Sequence, residues 1–490
     1  MKDPEELLAK ANLLKKDSTL QETQILKDEY FWTIHNIFED YHEGLNFDQR
    51  LAFIKEMEPY LPDSFLGAMA LARNLKKVLS LYKTDRFFLT KQKSDLLYLV
   101  NTFKKLKIPK SESSFSDIMR QLSRLQDDQS DWYLPLIKEI GLEGFEEKDY
   151  QRIKRDGNLI ISLYELIMLN TAKHIEKSDS LVDMQWFLPF LENALCKFPG
   201  TIWFKYYKAR LLLKVGRVEE AKPLLKDVLI KQNDQFRAWE LYGSLYAETN
   251  PHLYFSFLCK AALKGKEESA LPALRLNLAK EFIARKMYAE AKTELEQIMK
   301  TGEQKGWEIS NEITRLYNLK EISSAAAQIS NIKVYEVYQH TADEHLALFL
   351  ETKVGIVTNI LPDKKIAFLV FGPKLSAALK MKEEDEVANG DILKISIAET
   401  SIKGEIKHNV INYERTDEKP SSDFYKIVTG TLNLKKNKKG NPYAFVQDVH
   451  IRKDIIIPSG IKEGEKISLV CFKYYKKNGE SKWRAIKALG

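Results

Sequence analysis

Lysines and aromatic residues alternate near the carboxyl end of this 490-residue sequence. Tyr443 and Phe445 are two positions apart, so on a strand they share a face. Exposed rings on a strand form a surface on which unpaired bases stack, and nearby lysines neutralise phosphates. The residues predicted to contact nucleic acid are Lys435, Lys436, Lys438, Lys439, Tyr443, Phe445, His450, Arg452, Lys473, Tyr475, Trp483 and Arg484.

The positive charge is concentrated in the same segment. Residues 421–490 contain 15 Lys/Arg and six Asp/Glu, a net charge of +9, in a chain whose formal net charge is +7. The rest of the chain is therefore almost neutral, and this asymmetry favours a polyanionic partner for the basic end. Residues 351–415 contain ten basic and ten acidic residues, so we expect less nucleic-acid contact there, and Phe368 and Phe371 can be packed side chains.

Alternating and β-branched segments predict two small β modules, over residues 331–415 and 421–490. The polar composition of the segment between Arg415 and Asp423 predicts a linker. Both modules have a Gly-led first strand, an aromatic second strand and a Gly-Asp or Gly-Glu turn before a later strand. The strands expected in the first module are Lys333–Tyr338, Val354–Thr358, Ile366–Phe371 and Ile392–Ile397.

This layout resembles the cold-shock and wider OB-fold barrels. In that family, a basic turn precedes an aromatic second strand, and an Asp-Val-aromatic-Val-His stretch forms the third. Here the corresponding segments are 435–442, Tyr443–Val446 and Asp448–Arg452. The resemblance implies that Tyr443, Phe445 and His450 contact bases, although His450 and Arg452 depart from the family pattern. The alternative remains that the rings are core and the lysines a solvated hairpin.

A helical repeat precedes the β modules. Repeats of 34 residues that start at Ile202, Phe236 and Pro272 resemble the tetratricopeptide family, and a partial unit starting at Met168 places Leu191, Ala194 and Pro199 in register. The resemblance implies a superhelix that holds a peptide or partner helix. Lys205 and Arg275 depart from the pattern, since a large apolar residue is usual there. Small residues occupy the positions where paired helices cross: Ala209, Ala221, Gly243, Ala262, Ala279 and Ala291.

The predicted fold class is therefore multidomain, with α before β. Residues 1–150 form a helical domain of unknown role, in which Ser64 after Pro62 predicts a helix start. Residues 151–330 form tetratricopeptide-like repeats and residues 331–415 a first OB-like barrel. Residues 421–490 form a second, basic cold-shock/OB-like barrel.

Several classes of function find no support in the sequence. No phosphate-binding loop, dinucleotide fingerprint, zinc-protease or nucleophile-elbow motif occurs, so we expect no enzyme and no cofactor. His340 and His345 are five residues apart and do not share a helical face, so no metal site is predicted. Three scattered cysteines, no apolar span and no signal-like start favour a cytoplasmic protein without membrane contact.

The leading hypothesis is a non-enzymatic adaptor. The basic barrel binds single-stranded nucleic acid, with RNA favoured over DNA, and the repeats hold a protein partner. Bacterial RNA metabolism or an anti-phage conflict system is a setting that such an adaptor suggests. Two alternatives stay open: a protein-only scaffold whose basic end meets an acidic partner, and an effector or enzyme with its site in the first 150 residues.

Overall fold

Helices form most of the described chain up to Ala347, and strands dominate from Glu351 onwards. The computed structural model divides into two units, Met1–Arg217 and Val218–Gly490. It describes the whole chain except residues 1–3, 18–19, 21–22, 83–88, 128–129, 156, 266–270, 382–385, 403–404, 437–441, 452–454, 456–461, 476–478 and 490.

The first unit is helical, with one short β-hairpin. Polar caps fix several helix starts: the Ser64 hydroxyl accepts from the Gly67 amide, as the sequence predicts, and Ser162 and Glu165 form a reciprocal capping box. Its elements are α1 (Pro4–Lys16), α2 (Gln24–Tyr41), α3 (Phe47–Met57), α4 (Phe65–Leu79), α5 (Leu89–Leu106), α6 (Ser113–Leu125), α7 (Tyr133–Ile140), α8 (Glu147–Tyr150), β1 (Ile153–Arg155), β2 (Asn158–Ile160), α9 (Leu163–Ser178), α10 (Leu181–Lys197) and α11 (Ile202–Lys214).

The second unit begins with helical hairpins. Pro251 and Pro272 stand at helix starts, where the missing amide hydrogen costs nothing. At Gly243 an added Cβ would lie 2.5 Å from the Phe257 Cβ, so the predicted small residue marks a close helix crossing. The helices are α12 (Val218–Lys231), α13 (Phe236–Gly243), α14 (Pro251–Lys264), α15 (Pro272–Ala284), α16 (Tyr288–Lys305), α17 (Asn311–Tyr317), α18 (Lys320–Ser324), α19 (Ile332–Tyr338) and α20 (His340–Ala347).

The expected strand at Lys333–Tyr338 is wrong, because this segment is helix α19. Its alternating Val and Tyr residues suit a strand, but the helix buries Tyr335 and leaves Val337 exposed. Contacts with α14 and α16 decide between the two conformations, since tertiary packing overrides local β propensity. The first β module consequently starts at Glu351.

The first β module is a five-stranded antiparallel sheet in the order β5-β4-β3-β6-β7. The outer strands β5 and β7 also approach each other, so the sheet curls around its own core. That core includes Val357, Leu369 and Phe371, which confirms that Phe371 is a packed side chain, whereas Phe368 is 38% exposed and the same expectation is wrong for it. The strands are β3 (Glu351–Leu361), β4 (Ile366–Gly372), β5 (Leu375–Lys380), β6 (Ile392–Ile402) and β7 (Glu405–Arg415).

The second β module is a six-stranded sheet that is nearly closed into a barrel, in the order β8-β12-β13-β11-β10-β9. Strands β11 and β13 run parallel, and the other pairs are antiparallel. Near the closure the Gln447 amide donates to the Thr429 carbonyl, and a Cβ on Gly430 would lie 2.8 Å from Val446. The strands are β8 (Tyr425–Thr431), β9 (Asn433–Lys436), β10 (Pro442–Val446), β11 (Val449–Ile451), β12 (Lys466–Tyr475) and β13 (Ser481–Leu489).

The two β modules pack directly on each other. Ile356 of β3 is buried with Phe472 of β12 and Ile486 of β13, and Phe424, which directly precedes β8, joins the same cluster. One part of the outer face of the second sheet is thus covered by the first module. The part formed by β9, β10 and β11 includes the positions of Tyr443, Phe445 and His450.

Candidate nucleic-acid interface

Strand β10 places its residues on alternate faces, as predicted. Ala444 and Val446 are fully buried in the interior of the second module, whereas Phe445 is half-buried on the outer face. The small and branched side chains fill the barrel interior, and the ring is left outside. This arrangement excludes Phe445 from the interior core.

Backbone register extends this outer face across the sheet. Phe445 stands opposite Asn433 on one side and opposite His450 on the other. His450 in turn pairs with Arg484, which pairs with Phe472. Directly opposed residues share a face of a sheet, so these five positions form one row from β9 to β12.

Lys435 adds a cation beside this row. The lysine is exposed and pairs in register with Tyr443, and its Nζ lies 5.9 Å from the centroid of the Phe445 ring. A cation at this distance from a ring is attracted by the negative π face. A base could therefore stack on the Phe445 ring while Lys435 contacts a neighbouring phosphate.

Six predicted residues fall wholly or partly outside the described part of the chain. Their shared feature is a position in or beside the turns that flank β10 and β11. Lys438, Lys439 and Arg452 lie outside it completely, and for Lys436, Tyr443 and His450 only the backbone is described.

Trp483 and Lys473 lie on the other face of the sheet. Trp483 packs against the interior cluster, next to Ala485, and stands opposite Lys473 on the neighbouring strand. The Nζ of Lys426 lies 4.4 Å and that of Lys473 5.9 Å from the Trp483 ring. The structure thus does not bring Trp483 together with Phe445.

Arg484 belongs to the outer face and is already oriented. Its guanidinium carbon lies 4.2 Å from the centroid of the Tyr474 ring. Tyr475 is contacted by Lys374 of the first module, whose Nζ is 5.6 Å from the ring. Sequence reasoning missed Lys374 and Lys426 as neighbours of Tyr475 and Trp483. These contacts join segments that are far apart in the chain, so no local pattern in the sequence predicts them.

A cavity of about 170 Å³ opens between the two β modules beside Arg484. In the first unit, a second cavity of about 280 Å³ is lined by residues of α10 and α11, among them Glu192 and Lys208. That second cavity lies outside residues 1–150, in which the enzyme alternative places its site.

Cys471 is the cysteine of the second β module, and it is buried in the interior of that module. Burial raises the pKa of the Cys471 thiol to about 12, so the thiol is protonated at neutral pH. Among the described residues, no group of three His, Cys, Asp or Glu side chains is arranged to hold a metal ion. Of the helices that the structure describes, none is long and apolar enough to cross a membrane.

Comparison with known proteins gives a match to part of the chain. A family model described as Domain of unknown function (DUF7017) matches residues 202–342. The matched segment runs from the first residue of α11 into α20 and ends before β3. It therefore covers the helical hairpins and leaves the candidate interface outside. No curated protein matches the chain.

Proposed function

We propose that this protein is an adaptor that binds single-stranded nucleic acid through the outer face of its second β module. The observation that carries the proposal is Phe445, a ring on the outer face of β10 with Lys435 beside it and Arg484 in the same cross-strand row. Rings give stacking surfaces for any base, and cations track the phosphates. The net charge of +9 over residues 421–490 supports the same partner.

The strand order supports an OB-type barrel. If β8 and β9 are counted as one bent first strand, the sheet order is 1-4-5-3-2-1, with strands 3 and 5 parallel. The first module has the order 3-2-1-4-5, which is the same cyclic order opened between strands 3 and 5. In OB-fold barrels the face of strands 2 and 3 binds oligonucleotides, and these strands correspond to β10 and β11.

We further propose that the helical hairpins bind a protein partner, in the manner of tetratricopeptide repeats. The predicted repeat starts at Phe236 and Pro272 coincide with the first residues of α13 and α15. The small residues Ala279 and Ala291 are fully buried, as close helix pairing requires. Helices α19 and α20 of the same chain already contact α14, so the partner would use a different face of the hairpins.

Fluorescence anisotropy with the full chain and labelled single-stranded RNA and DNA tests the nucleic-acid proposal. We expect salt-sensitive binding that Phe445→Ala weakens by about 1–3 kcal/mol, the value of one stacked base. Phe65→Ala is the matched control, because Phe65 is an exposed phenylalanine of the helical first unit. Unchanged binding by Phe445→Ala would overturn the stacking surface. Failure of the wild-type chain to bind either strand, even at low salt, would favour the protein-only scaffold.

A further inference from the structure

The cavity between the two β modules is large enough to hold a planar ring. It measures about 170 Å³ and is partly open to solvent. A cavity of roughly 150 Å³ is large enough to admit benzene. Its lining comes from both modules: Thr358 and Asn359 of β3, and Phe472, Arg484, Ala485 and Ile486 of β12 and β13.

The lining combines an apolar floor with a few polar groups. Phe472 and Ile486 are largely buried and form part of the contact between the modules. The Asn359 amide can both donate and accept hydrogen bonds, and the Arg484 guanidinium donates only. A bulge in β3 between Val357 and Asn359 breaks the regular pairing here, and bulges re-aim side chains next to binding sites. Such a lining suits a flat apolar ring with a polar edge.

The cavity also lies at one end of the outer-face row. Arg484 lines it and stands two strands from Phe445, which corresponds to about 10 Å of sheet. The Tyr474 ring supports one face of the guanidinium, so Arg484 is held in place before any ligand arrives. Among the described residues, no carboxylate pairs with Arg484.

We propose that this cavity is a base slot: it receives one unstacked base of the same single strand that crosses Phe445. The proposal rests on the function proposed above and extends it, because it makes the first module part of the nucleic-acid site. Asn359 reads the polar edge of the base, and Phe472 and Ile486 contact its ring. The first module has no net charge over residues 351–415, which fits a role in holding a base rather than phosphates.

The test compares Asn359→Ala and Asn359→Trp in the full chain, with RNA and DNA oligonucleotides of about 16 nucleotides, the upper site size of one such barrel. We expect Asn359→Ala to weaken binding about five-fold by removing hydrogen bonds to the base edge. Asn359→Trp fills the slot and should weaken binding at least as much. Asn412→Ala is the matched control, because Asn412 is also half-buried and lies on β7, two strands away from β3.

Photo-crosslinking keeps the test valid if a variant fails to fold. With 4-thiouridine or 4-thiothymidine in the oligonucleotide, wild-type protein should give a crosslinked peptide that contains Thr358 and Asn359. Equal affinity of wild type and both variants, or crosslinks confined to β9, β10 and β11, would overturn the base slot while the proposed function stands. If the wild-type chain binds no oligonucleotide, the proposed function itself fails.

Discussion

The side-chain amide of Asn331 donates a 2.5 Å hydrogen bond to the carboxylate of Glu294. The Tyr335 hydroxyl donates to the same carboxylate, and Arg275 pairs with it at 2.7 Å. Glu294 is only 1% exposed, so these three donors take the place of water around its carboxylate. They tie the segment that begins α19 to the hairpin of α15 and α16, and thereby fix the last helices before the β modules.

Removing this carboxylate should be costly. Glu294→Ala removes the carboxylate that pairs with the Arg275 guanidinium, whose side chain is 14% exposed. Breaking one partner of a buried pair costs roughly 3–5 kcal/mol in free energy of unfolding. Urea denaturation measures the loss. Glu312→Ala is the control, because its pair with Lys280 is solvent-exposed and should contribute nothing measurable; an equal loss in both variants would contradict the buried-charge account.

The same cluster predicts a difference in alkaline stability. Burial, followed by the charge of Glu294, raises the pKa of Tyr335 above its ordinary value of 10.0. A raised pKa means that the folded state keeps the proton while the unfolded state loses it, so this contribution is complete below pH 10 and declines above it. We therefore expect the stability advantage of wild type over Tyr335→Phe to shrink as pH rises past 10. A pH-independent difference would contradict this.

The helical part was predictable because its signals are local. Ile202, Phe236 and Pro272 were expected to start repeats, and they begin α11, α13 and α15. Small residues and prolines specify such positions within a few residues of sequence. The conformation of α19 was not predictable in this way, since Tyr335 meets Glu294, 41 residues earlier in the chain.

The candidate site was predictable strand by strand but not across strands. The alternation of Ala444, Phe445 and Val446 identifies the outer face from the sequence, and the structure confirms it. Trp483 and Phe445 lie on opposite faces of the sheet, and this depends on the register with which β13 pairs with its neighbours. Likewise, Asn359 and Arg484 line the same cavity only because the two modules pack together.

The helix crossing at Gly243 predicts sensitivity to a single methyl group. An added Cβ would lie 2.5 Å from the Phe257 Cβ, which is attached to the backbone and has little room to move. Gly243→Ala should therefore lower the free energy of unfolding by about 1–3 kcal/mol through overpacking. Gly200→Ala, with nothing within 4 Å of the added atom, is the control. Thermal denaturation of both variants measures the difference, and a neutral Gly243→Ala would mean that the helices separate easily.

Trp483 and Phe445 should respond differently to truncation. Trp483 packs against the barrel interior, so Trp483→Ala should lower stability by roughly 2 kcal/mol or more. Phe445→Ala removes a ring from the outer face and should mainly weaken nucleic-acid binding. Thermal denaturation and anisotropy on the same two variants distinguish the roles. If Phe445→Ala lost as much stability as Trp483→Ala with binding intact, the ring would belong to the core.

Lys435 should contribute to the salt dependence of binding rather than to stability. It is exposed, and its ammonium lies beside the ring on which we expect a base to stack. Each phosphate neutralised on a single strand contributes about 0.7 to the slope of log affinity against log salt, because counterions are released. Lys435→Gln should therefore reduce that slope by about 0.7, whereas Lys407→Gln, on an exposed site of the first module, should leave it unchanged. A lower affinity with an unaltered slope would mean that Lys435 positions the ring and touches no phosphate.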